Sequence, residues 1–558
     1  MVNLKNVLTR YWWVIVPLLF IPACWALFVP GFYGASDDIH IAWLYEMHKT
    51  LLSGKIPPRF VPDLSFGFGY PLFNFVFPLP FYIAEIFHLL GLSLVDSIKA
   101  LFFISIPISF VFMYLLLRQF ISRSLSLAGA TLYIYTPYRA VDLYIRGAVG
   151  EVVSFVFLPL ILLSIVKIKE SNLRWIGIGA LTLSSLVLSH NITSYMFFPF
   201  VALFFLMQFF ASENKKAFAV RSILMIFLGL FTSMYFWLPA IVDSNLMKYD
   251  TVFNFADHYP TISQLITLYW GYGASVPGPG DGMSFFLGIV NLLLVIAGFI
   301  IAITSWSRFR KEIKILLVWV FVCLGSAFFL MNYRSTFLWN NLPLLSYFQF
   351  PWRFLILTTF ATPLLIIVFD KFKSKSIIAT VIIVLTLITS GSYFRPEDFL
   401  GRQDSYFLNR YIPTPSASKE YLETQEEYLR LPKHTQVRPN QNYPLVSVEN
   451  GEIKKFERLN DLDALITVES TVSATINYNK YFFPGWVAKI DGKQNKIEIG
   501  QPFGQINVNV PPGQHQLKIS FEETTFKKAL DAISLAGFLV SLGMCFSKNL
   551  RQSGPFGL

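Results

Sequence analysis

Two adjacent aspartates, Asp37 and Asp38, stand in the polar run Ser36-Asp37-Asp38-Ile39-His40, directly after the first apolar stretch of the chain. Carboxylates beside a bilayer are costly unless they carry chemistry or move ions. Such a pair offers a general base and oxygen ligands suited to a hard dication, Mg or Mn. Other polar groups recur in the same class of loop: Arg59, then Arg139, Asp142 and Arg146 with Glu151 close behind, then His190-Asn191, and finally Gln349 and Arg353. Guanidinium groups hold phosphates through two parallel hydrogen bonds, and cations placed where charge develops on a leaving group lower its barrier. These parts suit the transfer of a sugar from a lipid phosphate. Asp37 or Asp38 would take the proton of an acceptor hydroxyl, Arg139, Arg146 or Arg353 would hold the phosphate, and His40, Arg59, Asp142, Glu151, His190, Asn191 and Gln349 would complete the substrate-binding set. If residues 138–147 are helical, Arg139, Asp142 and Arg146 share one face at spacings of three and four. Each group also has an ordinary role: N-cap for one aspartate, an ion-pair network for the Arg139 set, and an interfacial anchor for Arg353.

The elements that must position these residues are membrane helices. Of 558 residues, 54% are hydrophobic, 17% aromatic and only 14% charged. Apolar stretches such as Tyr11–Val29, Ile98–Leu117, Val152–Val166, Phe218–Trp237, Phe285–Thr304, Ile315–Met331, Phe354–Phe369 and Ile377–Ser390 reach or approach the span of a bilayer. The net charge of +11 is not a nucleic-acid signature. Nineteen Lys and Arg residues fall in seven short segments between spans (near residues 5–10, 118–123, 167–174, 215–221, 308–314, 371–375 and 548–551), against four acids, Glu170, Glu213, Glu312 and Asp370. That bias places these segments in the cytoplasm. It predicts about twelve transmembrane helices, cytoplasmic termini and a first external loop over 30–97. Tyr70–Leu90 is read as re-entrant or interfacial, because counting it as a crossing would put Arg118 and Arg123 outside. Ile39–Leu52 mixes apolar and polar positions and is expected to lie on the membrane surface as a helix. Cys24, Cys323 and Cys545 all lie in apolar spans, which argues against an external disulfide.

Beyond residue 393 the composition turns polar. Residues 394–527 form an external segment, with a short helix expected near Lys419–Leu429. From about 445 to 522 the pattern alternates as strands do: Ala464–Glu469, Ser473–Tyr478, Trp486–Ile490, Lys496–Ile499, Gln505–Val510 and Gln516–Phe521, punctuated by Pro484-Gly485, Asp491-Gly492 and Pro511-Pro512-Gly513. The prediction is a small β-sandwich, tethered by a final helix and cytoplasmic tail over 528–558. The fold class is therefore a polytopic α-helical membrane domain, 1–393, followed by an extracytoplasmic β-sandwich.

The run Ser36–His40, with Gly54-Lys55-Ile56-Pro57-Pro58-Arg59 and Phe66-Gly67-Phe68-Gly69-Tyr70-Pro71-Leu72-Phe73-Asn74, resembles the bacterial family of 6-pyruvoyl-tetrahydropterin-synthase-related membrane proteins. Tyr138-Arg139, Asp142-Leu143-Tyr144, Arg146-Gly147, Gly150-Glu151 and Ser189-His190-Asn191-Ile192 are similar to its later motifs. Phe483-Pro484-Gly485-Trp486 and Val510-Pro511-Pro512-Gly513 resemble the tail of the YfhO-like membrane proteins. The resemblance implies the GT-C glycosyltransferase superfamily: a polytopic helical fold in the bacterial plasma membrane, an acidic motif in the first external loop with Asp37 or Asp38 as base, and polyprenyl-phosphate-linked sugar donors. Soluble pterin synthases use a three-histidine zinc site, and no His-x-His pair occurs here. The leading expectation is an inverting glycosyltransferase acting on a glycan, lipid or protein acceptor. A transporter or flippase, which would place polar groups near the bilayer midplane, and a noncatalytic scaffold are the alternatives.

Overall fold

The computed structural model describes residues 16–170, 172–248, 254–342, 345–412 and 431–547. Seven helices in it are long and apolar enough to cross a membrane: Leu94–Leu117, Val149–Glu170, Asn191–Ala211, Lys311–Leu330, Pro351–Phe369, Lys375–Tyr393 and Thr525–Phe546. The chain is a multi-pass membrane protein. Lys215–Thr232 and Met234–Leu246 make an eighth span if taken together, but they are bent by 68°. Leu173–Ser189 and Ile289–Thr304 are apolar but shorter. The twelve crossings read from the sequence therefore exceed the helices that meet full length among the described residues. Residues 11–15 of the first expected span, the helix expected near Lys419–Leu429 and the tail from Lys548 lie outside the described residues. Within the described part of that first span, Ile21–Cys24 is a short α-helix continued by a 3-10 turn, Trp25–Phe28.

The break at residue 233 corrects the continuous span expected over Phe218–Trp237, and its freed backbone groups are satisfied from outside. Ser534, on Thr525–Phe546, donates to Phe231 O (2.9 Å) and accepts from Tyr235 N (2.8 Å), while Arg59 donates to Tyr235 O (2.6 Å). A helix can be interrupted within a bilayer only where neighbours supply such partners.

Two helices form the centre. Val149–Glu170 and Pro351–Phe369 are apolar all round and almost wholly buried, whereas Lys375–Tyr393 and Thr525–Phe546 turn most of their surface outward. All-round hydrophobicity is what a helix surrounded by other helices requires. One end of the bundle gathers the basic segments. Ser122 N donates to Asp370 Oδ1 (3.0 Å), Arg310 to Phe120 O (2.8 Å), Lys169 to Gln208 Oε1 (2.6 Å) and Lys311 to Ala211 O (3.2 Å). The central helices run from this end to the opposite one, where they begin at Glu151 and Arg353.

The first loop folds at that opposite end. Tyr70–Leu90 does not make one helix: Leu72–Phe75 and Leu79–Leu89 are separated by Val76–Pro78. The longer piece, of 11 residues, rises about 16 Å, well short of the roughly 30 Å of hydrocarbon. His40–Leu52 is helical, as expected, but its polar positions are not left at a free surface as its mixed pattern suggested. His40, Ile41, Ala42, Trp43, Leu44, Glu46, Met47 and Thr50 are buried, because other segments of the first loop and the C-terminal domain cover the helix on its polar side too. Lys49 pairs with both Asp63 (2.5 Å) and Asp461 (3.2 Å), and the buried Glu46 accepts from Asp63 N (3.1 Å).

The C-terminal domain is a sandwich of two antiparallel sheets. Its strands are β1 (Val446–Glu449), β2 (Glu452–Arg458), β3 (Asp463–Ser470), β4 (Ala474–Tyr481), β5 (Trp486–Ile490), β6 (Lys493–Asn495), β7 (Glu498–Ile499), β8 (Gln505–Val510) and β9 (Gly513–Phe521). They pair in the orders β1-β4-β8-β7 and β2-β3-β9-β5-β6. Alternate residues such as Ala464, Ile466 and Val468 or Ala474, Ile476 and Tyr478 fill the space between the sheets. The domain is locked onto the first loop. Buried Lys480 donates to Pro62 O and Gly67 O (both 2.7 Å), and Lys55 reaches Asp463 (2.8 Å) and Phe521 O (2.7 Å). Burial away from water holds the Lys480 ammonium down at about 8.

Candidate functional site

The site is built where the first loop meets residues 137–151. Pro137–Ala140 is one α-helical turn, but Val141–Arg146 is a π-helix closed by Gly147 in the left-handed region, φ +68°. The first loop pairs with this widened turn: Ser36 N donates to Ile145 O (3.1 Å), Asp37 N to Arg146 O (2.7 Å), and His40 Nδ1 lies 3.2 Å from Gly147 O. A β-carbon at Gly147 would stand 3.1 Å from that of Ala35, so the contact favours glycine twice over. These backbone bonds bring Asp37 beside Arg146 although 109 residues separate them.

Arg146 is the hub. It bonds Asp142 Oδ1 (2.7 Å), Glu151 Oε2 (2.9 Å) and Tyr138 OH (3.3 Å), and lies 3.6 Å from Asp37 Oδ2. Tyr138 also donates to Glu151 Oε2 (2.9 Å). Burial, reinforced by Glu151 alongside, pushes the Asp142 carboxyl up, against the charge of Arg146 and its hydrogen bond. Arg353 approaches from the far side, its Nε 3.8 Å from Glu151 Oε1. That distance is too long for a hydrogen bond, and neither buried atom has a hydrogen-bond partner among the described residues. Trp352 forms the wall between the two arginines, 5.2 Å from the Arg146 guanidinium and 5.9 Å from that of Arg353.

The two aspartates part company. Neither caps the helix His40–Leu52, whose N-cap position is Ile39. The Asp37 side chain keeps 26% of its surface exposed and, among the described residues, makes only long contacts, to Ser36 Oγ (3.4 Å) and Arg146. Asp38 is 3% exposed; it accepts a short hydrogen bond from Tyr411 and lies 3.6 Å from Arg402. Burial pushes the Asp38 carboxyl up, against the Tyr411 hydrogen bond and the charges of Arg410 and Arg402. Arg402 lies over the Tyr406 ring (4.2 Å), to whose hydroxyl Arg410 donates (2.8 Å). The segment 402–411 thus covers Asp38 and leaves Asp37 open. The aspartates diverge, and no three His, Cys, Asp or Glu side chains converge among the described residues, so a hard dication would meet one open carboxylate, Asp37. Mg is commonly held by one or two carboxylates together with waters and substrate phosphates. Loss of turnover on chelation with EDTA, restored by Mg or Mn, would show a cation seated on Asp37; turnover that survives EDTA would exclude one.

Of the other residues singled out in the sequence, Arg59, Arg139 and Asn191 lie elsewhere, while His40 and His190 border the cluster, within reach of the charges of Arg146 and of Asp37 or Glu151. Arg59, 1% exposed, is consumed by Glu523 (3.1 Å), Asp531 (2.5 Å) and Tyr235 O, so it ties the first loop to the last helix and is not free for substrate. Arg139 does not share the Arg146 face. The π-turn swings it away, onto Ser109 Oγ (3.0 Å) and between the rings of Tyr133 (5.0 Å) and Phe155 (4.9 Å). Asn191 is exposed and donates to Phe75 O (3.0 Å). His40 packs edge-on to Trp43 (5.0 Å), and burial lowers its basicity. His190 caps the helix Asn191–Ala211, its Nδ1 meeting Thr193 N (3.3 Å) and Thr193 Oγ1 (2.8 Å). Gln349, half-buried, sits at φ +67° just before the Arg353 turn. Asp37, Arg146, Asp142, Glu151 and Arg353 come together; Tyr138, Trp352, Arg402 and Tyr411 join them unforeseen. Tyr138 and Trp352 neighbour charged residues already singled out, which was the available signal; nothing local marks Arg402 or Tyr411.

Fold and site define a multi-pass helical membrane protein with a buried charge cluster at one end of its bundle and a β-sandwich docked beside it. No family model matches the chain. A stretch of 212 residues is 24% identical to an uncharacterized protein of Lactococcus lactis subsp. cremoris (strain MG1363), covering 37% of this chain and 34% of the relative, so the match spans about a third of that relative's length. Among solved structures, arabinofuranosyltransferase AftD from Mycobacteria aligns over 75% of this chain and 28% of its own, at 12% identity and a TM-score of 0.45. The oligosaccharyltransferase AglB of Archaeoglobus fulgidus, in complex with an inhibitory peptide and a dolichol-phosphate, aligns over 74% of this chain and 61% of its own (12% identity, TM-score 0.46); the apo form of an oligosaccharyltransferase from the same organism aligns over 78% and 61% (13%, 0.46).

Proposed function

We propose that this protein is a GT-C-type glycosyltransferase that moves a sugar from a polyprenyl phosphate to an acceptor hydroxyl at the extracytoplasmic face of a bacterial plasma membrane. The observation that carries the reading is Asp37, an open carboxylate held by backbone bonds next to a cluster in which Arg353 Nε has no hydrogen-bond partner among the described residues and Nη1 makes only a long bond to Phe348 O (3.4 Å). Asp37 accepts the acceptor proton as the hydroxyl oxygen attacks the anomeric carbon. The bond from that carbon to the phosphate oxygen breaks in line, which inverts the centre. The electron pair leaves on the phosphate, where Arg353 stabilises it. Arg146 is nearly saturated by carboxylates, so its part is to fix Asp37 and Glu151. The acceptor is a glycan, a lipid or a protein, and the β-sandwich is placed to guide it. With twelve crossings and both termini in the cytoplasm, the basic end faces inward and the Asp37 end outward. The site's charges lie at the ends of the two central helices and not midway along them, which favours this reading over a transporter.

The reading is tested by sugar release and transfer from a panel of radiolabelled polyprenyl-phosphate sugars by the purified protein. No turnover of any donor, with no donor binding, would sink it. Asp38 gives a second handle. Its native carboxyl holds a proton to higher pH than in the unfolded chain, so its contribution to stability declines as pH rises through that interval. Asp38→Asn cannot ionise, so the thermal midpoint of the variant is expected to fall less than that of the wild type as pH rises through that interval; identical pH profiles of the two proteins would assign the dependence to another group.

A further inference from the structure

Trp352 is held by a loop that the proposed chemistry does not otherwise use. Residues 254–287 carry a short helix, Ile262–Ile266, closed by a capping box between Thr261 and Gln264. A narrow ladder pins the rest: Tyr272 bridges Met283, Gly273 N donates to Gly282 O (3.1 Å) and Gly282 N to Ala274 O (2.9 Å). Glycine is required here, since a β-carbon at Gly271 would stand 2.2 Å from Gly282 O. The ladder presents Ser275 and Asp281 side by side. Asp281 is 7% exposed; its Oδ1 accepts from Ser275 Oγ (2.8 Å) and Val276 N (3.1 Å), and its Oδ2 accepts from Gln264 Nε2 (2.9 Å).

A serine hydroxyl has one proton and two lone pairs. The proton of Ser275 goes to Asp281. One lone pair takes the indole N–H of Trp352 (3.1 Å), and the other takes Nδ1–H of His258 (2.9 Å), which fixes that histidine's tautomer. The same loop grips the rest of the aromatic wall. Phe285 stacks on Trp352 (5.9 Å), Trp352 on Phe350 (5.1 Å), and His258 meets Phe350 edge-on (4.8 Å). Phe350 and Trp352 are the rings that flank the Arg353 guanidinium, at 5.4 and 5.9 Å.

We infer that Ser275, oriented by Asp281, is a positioning residue that fixes Trp352 and through it aims Arg353 at the phosphate of the lipid substrate. Half-buried Ser275 has its proton and both lone pairs engaged, which holds its hydroxyl in one orientation, and the indole it holds has no other hydrogen-bond partner among the described residues. The inference rests on the reading of Arg353 as the phosphate anchor.

The test uses the full-length protein in detergent, labelled with 5-fluorotryptophan, and farnesyl phosphate as the probe. Trp352→Phe identifies the Trp352 fluorine line. In Ser275→Ala that line is expected to shift or broaden, and farnesyl phosphate affinity to fall about tenfold, while Ser275→Thr, which keeps the hydroxyl, restores both. Asp281 keeps Gln264 and Val276 as partners in the Ala variant, so the loop is expected to stay folded, and an unchanged thermal midpoint checks this. A Trp352 line or an affinity that stays at wild type in Ser275→Ala, while Arg353→Gln weakens binding, overturns the inference and spares the phosphate reading. If Arg353→Gln also binds normally, the phosphate reading falls and the aiming role falls with it.

Discussion

Turnover by Asp37→Asn is expected to drop about 100- to 10,000-fold, the range lost when a positioned base is removed, with donor affinity nearly unchanged. The side chain keeps its size, and its contacts to Ser36 and Arg146 are long in the wild type, so little packing is disturbed. Asp38→Asn should cost far less in kcat, because that carboxylate is enclosed by Tyr411 and Arg402 and has no open face for an acceptor. The two variants separate the roles sharply: equal losses in both, or the larger loss in Asp38→Asn, would mean that segment 402–411 swings away during the reaction and that Asp38 is the base. The measurement is single-turnover sugar transfer, with donor binding followed in parallel so that a folding defect is not mistaken for lost chemistry.

The second large effect concerns stability. Arg146→Met removes the cation bonded to Asp142 and Glu151 and facing Asp37, and leaves buried carboxylates without compensation. Removing one partner of a buried pair costs about 3–5 kcal/mol, so the thermal midpoint in detergent should fall well below that of any single surface variant. Adding Asp142→Leu, which removes one orphaned acid, should recover part of the loss. A neutral Arg146→Met would mean that these acids are both protonated in the native state and that the cluster is not an ion network. Activity should vanish as well, since the Asp37 carboxylate loses the guanidinium beside it.

How much of this was legible in the chain depends on the range of the forces involved. The strands at Trp486–Ile490 and Gln505–Val510 appear with the bounds read from alternation, because one buried face per strand imposes a period of two. The strands β1, β2 and β6 were not foreseen: β2 has Glu452, Lys454, Lys455 and Glu457 on an edge where little is buried, so the alternation is masked. The helix expected over Ile39–Leu52 is present, but the burial of its polar positions was hidden for a related reason. Its polar residues are buried by partners, Lys49 by Asp63 and Asp461, that lie 14 and more than 400 residues away. Hydropathy does not distinguish water from a salt-bridging neighbour.

The sequence by itself determined that this is a membrane protein with a basic end, a polar first loop carrying an acidic pair, and a C-terminal β-domain, because hydrophobic length, charge bias and strand period are local properties. It also singled out Asp37, Arg146, Glu151 and Arg353. Only the tertiary structure decided that Arg59 is a brace and not a ligand, that a π-turn takes Arg139 out of the cluster, and that Asp38 is closed off by Arg402 and Tyr411 while Asp37 stays open. Those outcomes follow from which opposite charge or backbone carbonyl each side chain meets. That is fixed by chain crossings and close packing, and a charged group that must leave water will take whichever partner the fold puts within reach.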